Sequence, residues 1–398
     1  MSGAIRRLGA LDWLDKRQAN GRSTSQPRLL IAYSYNLLNS TAFNLAFVDL
    51  MSLQLTRAAS STIGKIWALN GARKGDWRME RFFQNISSLT LALLIFSTAN
   101  GQEVAQVNGA LVFQTPYHFT AFEEQSAFTK RFYTKDEYES ARNSESIECL
   151  KIQYISDGLK VVGFIVKPRN TVGKRYPVII FNRGGLLDIG KIDTPNILDF
   201  YVLAQNGFVV LASQYRGNDG GEGREELGGA DVNDVTNLLP LAASLPYADA
   251  RNVFFYGHSR GGMMTLLALK RGAVVNAAAV VGAVFDLEGA LEHIKQQAPG
   301  IADLATKLIP DYTKRSTAAL SERSAINWPE KSNVPLLIIH GGGDDEVPVS
   351  QALAYAMKLS GLHKPYELVV YDGDNHEAMN NRRDRDARLV AWFRRFLR

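Results

Sequence analysis

From Glu148 onward the chain alternates short apolar, β-branched runs with helical patterns. Leu150–Ile155 and Val161–Val166 read as strands joined by Ser156-Asp157-Gly158-Leu159. Asp-Gly between two such runs predicts a hairpin. Further strands are expected at Val178–Phe181, Val209–Ala212, Val253–Tyr256, Ala278–Ala283, Leu336–Ile339 and Leu368–Tyr371. Continuous apolar strands separated by helices predict an α/β fold, with a mostly parallel central sheet covered on both faces. The last helix, about Asp384–Leu397, places Leu389, Phe393, Phe396 and Leu397 on one face. Glu288–Pro329 interrupts the alternation between two strands, and its helical pieces are expected to form a small lid.

The upstream pattern differs. From about Gly101 to Ser146 the chain is polar and aromatic, with one helix expected at Lys135–Arg142. Residues 1–78 lack sustained periodicity. Met79-Glu80-Arg81, then the apolar stretch Leu89–Phe96 and Ser97-Thr98-Ala99, has the layout of a secretory signal peptide. That stretch is too short to span a bilayer. On this reading translation starts at Met79 and residues 1–78 are an artefact of start assignment; a buried helix over Leu89–Phe96 is the alternative. The domain plan is therefore a basic extension over 1–78, a candidate signal peptide over 79–100, a lead-in over 101–147 and a catalytic domain over 148–398. A start at Met79 implies a periplasmic or secreted protein, and a start at Met1 a cytoplasmic one.

The net charge of +5 in 398 residues invites a nucleic-acid reading. Its distribution argues against one, because residues 1–78 carry +7 and the remainder −2. No basic patch interleaved with aromatics occurs beyond residue 78, so the sequence supports neither a nucleic-acid partner nor stable membrane insertion. The lone Cys149 excludes an internal disulfide framework and reads as a small buried residue in a strand.

The chemistry concentrates where Val253–Tyr256 runs into Gly257-His258-Ser259-Arg260-Gly261-Gly262 and then Met263–Lys270. Strand, G-x-S-x-G and helix together predict a nucleophile elbow, a sharp turn that lifts the serine hydroxyl above the sheet. The glycines flank the turn because a Cβ there would clash. The N–H of Arg260 is expected to point at a developing oxyanion.

A serine hydroxyl needs a base. Of six histidines, only His376 lies in a polar loop beyond the last strand. His258 is expected to turn away from Ser259 and pack beside the elbow. His340 is expected to bond within its glycine-rich loop, and His118, His293 and His363 have no partner pattern. The acid comes from the adjacent Asp344, Asp345 and Glu346, which follow the strand Leu336–Ile339. Asp372 and Asp374 are expected to shape the turn before His376. Asp231/Asp234 and Asp384/Asp386 read as helix N-terminal charges rather than metal ligands. No metal site or cofactor is implied.

The elbow, His340-Gly341 with Asp344 and Val347-Pro348, and His376 together resemble the catalytic domain of the prolyl oligopeptidase family of serine peptidases, an α/β-hydrolase fold. Tyr154-Ile155-Ser156-Asp157-Gly158-Leu159 with Gly163 to Pro168 is similar to that family's opening hairpin. Gln214-Tyr215-Arg216-Gly217 with Gly220-Gly221 and Gly223 is similar to its glycine-rich loop. Arg323-Ser324-Ala325-Ile326 is similar to the segment before its acid strand. The resemblance covers about Glu148 to Arg398 and implies Ser259 as nucleophile, Asp344 as acid and His376 as base. Two departures stand out. Residues 1–147 are too few, and too poor in strand repeats, for the family's β-propeller. Asn182-Arg183-Gly184-Gly185 places Arg183 where relatives often carry Tyr or His, so the second oxyanion donor is expected from a backbone N–H around Arg183–Gly184. The Arg183 side chain itself reads either as a surface ion pair or as facing substrate.

The resemblance favours peptide or aminoacyl-amide substrates cleaved through an acyl-enzyme. A carboxylic-ester hydrolase is the rival enzyme, and a non-catalytic binding module the rival from another class. Such modules usually lose a triad member, and here none is lost.

Overall fold

The computed structural model describes residues 107–398. The basic extension, the candidate signal peptide and the first residues of the lead-in lie outside the described residues.

The elements run β1 (Leu111–Pro116), α1 (Ala127–Phe132), α2 (Lys135–Arg142), β2 (Ile147–Ser156), β3 (Leu159–Pro168), β4 (Tyr176–Asn182) and α3 (Thr194–Gln205). Then come β5 (Val209–Ser213), α4 (Val232–Thr236), α5 (Leu238–Ser244), β6 (Ala248–His258), α6 (Arg260–Lys270) and β7 (Ala277–Val281). Three helices follow, α7 (Leu287–Gln297), α8 (Pro299–Leu308) and α9 (Tyr312–Arg323). The chain closes with β8 (Leu336–Gly341), α10 (Ser350–Gly361), β9 (Tyr366–Tyr371) and α11 (Arg382–Arg395).

The strands form one sheet in the order β1-β2-β3-β5-β4-β6-β7-β8-β9. Pairs from β1 through β3 to β5 are antiparallel, and every pair from β5–β4 to β9 is parallel. Side chains alternate between two buried layers, so an unbroken apolar run fills both faces. Val178 and Ile180 enter one layer with Leu238, Leu241, Met263 and Tyr355. Ile179 and Phe181 enter the other with Ile197, Phe200, Leu389 and Phe393.

The hairpin forms where expected: Asp157 and Gly158, both at positive φ (52° and 79°), join β2 to β3. The helix at Lys135–Arg142 is present, started by a capping box between Thr134 and Glu137. Two expectations are corrected. β1 was not legible, because it is an edge strand, exposed at all but one position and lacking the alternation that marks a half-buried one. Leu397 does not pack with Leu389 and Phe393; it lies past the end of α11 and is 43% exposed. Trp392 packs instead, its indole N–H donating to the carbonyl of Ala278 at 3.0 Å.

The parallel register places Asn182 beside Gly257, His258 beside Val281, and Gly341 beside Tyr371. The carboxyl ends of β4, β6, β7, β8 and β9 therefore share one edge of the sheet, where open α/β sheets place their crevice.

Candidate active site

Ser259 stands between β6 and α6 at φ 55°, ψ −126°, a strained conformation for a residue with a Cβ. Its N–H donates to Val281 at 2.9 Å and its carbonyl accepts from Gly262 at 2.9 Å, which fixes the turn. The turn closes on glycine: a Cβ at Gly261 would collide with the carbonyl of Asn182, and one at Gly257 with the carbonyl of Gly261.

His376 hangs on the loop between β9 and α11. Asp374 pins that loop, accepting from the N–H groups of Asn375, Asn380 and Asn381 and from Asn381 Nδ2, at 2.8–3.0 Å. Arg385, buried in α11, donates to the Glu377 carbonyl at 2.9 Å. The loop thus presents an imidazole that is only 3% exposed. Its Nδ1 donates to Asp344 Oδ2 at 2.7 Å, and its Nε2 has no hydrogen-bond partner among the described residues. Asp345 makes no such bond; its backbone carbonyl accepts from His293 and Gln297 of α7, both at 2.9 Å.

Asp344 is held from several sides. Its Oδ1 accepts from the N–H groups of Glu346 and Val347, both at 2.9 Å. His340 Nε2 stands 3.0 Å from Oδ2 and 2.9 Å from the Val347 carbonyl. Both of those are acceptors, so the proton of His340 sits on Nε2. Burial pushes the Asp344 carboxyl up, but the bonds from His340 and His376 outweigh it and hold the group far below its ordinary value. Burial likewise pushes His376 down, while its bond to Asp344 and the carboxylates of Glu346, Asp344 and Glu377 pull it up to about 9.

His258 packs beside the elbow, its ring 5.0 Å from that of His376, and burial keeps it neutral. His340 bonds within its own loop as expected, at the Val347 carbonyl and at Asp344.

Beneath the elbow lies a buried charge cluster. Arg183 is neither a surface ion pair nor aimed at substrate; it is 1% exposed and 3.3 Å from Glu225. The Arg260 side chain donates to Glu225, and to Asp231 at 2.6 Å. Both guanidiniums lie against the Tyr215 ring, 5.1 Å and 4.8 Å from its centre. Asp231 and Asp234 are therefore buried acceptors rather than solvated helix-terminal charges, Asp234 taking three bonds from the Arg216 side chain.

This cluster orders the loop after β4. Tyr215 Oη donates to the Arg183 carbonyl at 3.0 Å, Arg183 Nη1 to the Gly184 carbonyl at 2.9 Å, and Arg260 Nη1 to the Gly185 carbonyl at 3.0 Å. In a trans peptide the N–H points opposite to the carbonyl before it. The N–H groups of Gly184 and Gly185 therefore face away from the cluster. A Cβ at Gly184 would lie 3.0 Å from Ser259 Cβ, so this backbone abuts the elbow directly. Sequence reasoning missed Tyr215, Glu225 and Asp231 in this role. Their only signal was charge beside a glycine-rich loop, which ordinarily means a solvated turn.

The comparisons agree with this architecture. The family model described as Peptidase_S9, prolyl oligopeptidase family, matches residues 196–398. The uncharacterized peptidase YtmA of Bacillus subtilis (strain 168) is 30% identical over 234 residues, covering 58% of this chain and 88% of that protein. The acylamino-acid-releasing enzyme of Sus scrofa is 25% identical, over 56% of this chain and 32% of its own length, so the chain spans about a third of that longer relative. Among solved structures, the Pyrococcus horikoshii acylaminoacyl peptidase superposes with a TM-score of 0.55 at 20% identity, covering 67% of this chain and 44% of that one. A puromycin-hydrolyzing peptidase of Mycobacterium tuberculosis gives 0.52 at 23% identity, over 60% and 38%. By the family model and the Bacillus subtilis relative together, the chain belongs to the prolyl oligopeptidase family of serine peptidases.

Proposed function

We propose that the chain cleaves short peptides or aminoacyl-amides through an acyl-enzyme on Ser259. His376 Nε2 takes the Ser259 proton as Oγ attacks the carbonyl carbon, and Asp344 holds the imidazole by its Nδ1–H. The tetrahedral oxyanion accepts from the Arg260 N–H at the start of α6 and from a backbone N–H of the loop after β4. For the latter we favour the Gly184 N–H, which faces away from the buried cluster on backbone that abuts Ser259. His376 then returns the proton to the leaving amine. Water attacks the acyl-enzyme through the same base and releases the acid.

The observation that carries this reading is the 2.7 Å bond from His376 to Asp344, with Nε2 left free beside the elbow. An apo site commonly tightens its nucleophile–base contact only around substrate. The test compares kcat/KM on an ester and an anilide sharing one acyl group, for the wild type and Ser259→Ala. Anilide cleavage lost in Ser259→Ala is the expected result. Rapid ester turnover with no anilide or peptide cleavage across a broad panel would overturn it.

A further inference from the structure

His258 has no part in that mechanism, yet it ends β6 and directly precedes the nucleophile. Its ring centre lies 5.0 Å from that of His376, with the two planes tilted by 58°. Other sides of the His376 ring are already occupied. Asp344 accepts from Nδ1 at 2.7 Å, and Glu346 Oε2 comes within 3.7 Å of Nε2. A Cβ at Gly282 would lie 3.0 Å from Nδ1 and 3.1 Å from Cε1, so bare backbone after β7 flanks the ring there. His258 also borders the loop after β4, since a Cβ at Gly184 would lie 3.3 Å from its Nδ1.

We propose that His258 is a positioning residue for the general base, an aromatic ring carried on the nucleophile's own turn that keeps the His376 imidazole seated on Asp344 while Nε2 passes the Ser259 proton. The proposal rests on Ser259 and His376 acting as read above. His376 hangs on the loop between β9 and α11, which has no covalent link to the elbow. A single bond through Nδ1 fixes one atom of its ring and leaves the ring free to pivot about that atom. A second ring packed on the flank restricts the pivot. The strained turn at Ser259, φ 55°, fixes the chain on which both Ser259 and His258 are carried. The elbow thus holds the nucleophile and the guide for its base on one rigid piece of backbone.

The electrostatics of His258 agree with a supporting role. Its buried Nε2 has no hydrogen-bond partner among the described residues, so no bond through that nitrogen holds the ring. Burial, with the positive charges of His376 and Arg385, holds it well below its ordinary value against the pull of Asp344 and of the His376 backbone. His258 therefore stays neutral when His376 becomes an imidazolium. A cation in its place would repel that imidazolium and oppose the proton transfer.

The experiment measures kcat, KM and the rate of fluorophosphonate inactivation for wild type, His258→Gln, His258→Ala and His258→Phe, with urea unfolding to show that the compared variants fold. His258→Gln keeps a polar side chain but no ring. It should lower kcat and the inactivation rate together by roughly ten- to hundred-fold, the size of an ångström-scale misplacement of a catalytic group. KM should stay within about two-fold, because the lost interaction serves proton transfer rather than binding. His258→Ala should lose at least as much. His258→Phe restores an aromatic ring and should recover most of the loss. It should also leave the acid limb of kcat/KM in place, because the charged groups facing this position, His376, Arg385 and Asp344, are all retained. Wild-type kcat in His258→Gln, a loss confined to KM, or a His258→Phe no faster than His258→Gln overturns the proposal. So does an acid limb that moves in His258→Phe, which would make His258 a titrating partner of the base. Ser259→Ala tells the two readings apart. Turnover that survives it removes the catalytic reading, whereas turnover lost in Ser259→Ala but intact in His258→Gln removes only the role of His258.

Discussion

His340 Nε2 stands 3.0 Å from Asp344 Oδ2, the same oxygen that accepts from His376 Nδ1. One carboxylate oxygen is therefore shared between two imidazoles, the first fixed in β8 and the second carried on a loop. The strand histidine anchors the acid, so that the loop histidine meets a carboxylate already in place. Removing the His340 donor makes Asp344 more basic and raises His376 further. His340→Ala should therefore lower kcat and move the acid limb of kcat/KM to higher pH. His340→Gln, which keeps an N–H donor, should do both less. A limb that moves to lower pH would contradict the shared-oxygen account.

For the wild type, the sign of the pH dependence follows from the His376 environment. The base acts only when neutral, and its pKa lies near 9 rather than at its ordinary value. On an uncharged substrate kcat/KM should rise through the mildly alkaline range and be low at pH 6. A limb centred near 6.5 would show that the carboxylates around the ring are screened.

The acid assignment is checked by paired substitutions. Asp344→Asn should lower kcat by roughly 10⁴, the cost of holding the imidazole in the wrong tautomer. Asp345→Asn should change it only a few-fold, because the fold uses that residue's backbone carbonyl. The reverse ranking would move the acid by one residue.

Nucleophile identity has a direct chemical readout. A fluorophosphonate should label Ser259 alone, since only an activated serine attacks phosphorus readily. Intact-mass labelling that persists in Ser259→Ala would remove the elbow from the mechanism.

The buried cluster makes a different kind of prediction. Glu225 accepts from both Arg183 and Arg260, which hold its carboxyl below the ordinary value against burial. Glu225→Ala leaves two guanidiniums short of a partner and should cost about 3–5 kcal/mol by urea unfolding. Tyr215→Phe removes one bond, the one to the Arg183 carbonyl. It should lower kcat several-fold with KM little changed, because Gly184 then loses part of its orientation. Equal loss in KM and none in kcat would show that this loop serves binding alone.

Local signals carried most of the fold. Continuous apolar strands, the Asp157-Gly158 turn and the Thr134–Glu137 cap are each written in a few consecutive residues. The elbow is legible for the same reason: Gly257, Ser259 and Gly261 lie within five positions, and their spacing is the chemistry. His376 could be reached because loop position after the last strand is itself a sequence property. What only the tertiary structure decided are relationships between residues far apart in the chain. Residue type and spacing alone do not separate Asp344 from Asp345, which the family resemblance did, and the register of β8 against β9 is what brings Asp344 to His376. Arg183 read as a surface ion pair or a substrate-facing group and Asp231 as a helix N-terminal charge, because burial of an ion pair depends on which strands and loops cover it. Glu346 was one of three adjacent acids until the fold set its carboxylate beside Nε2. Local pattern specifies elements through short-range sterics and hydrogen bonding, whereas charge pairing and burial are set by the packing of those elements against each other.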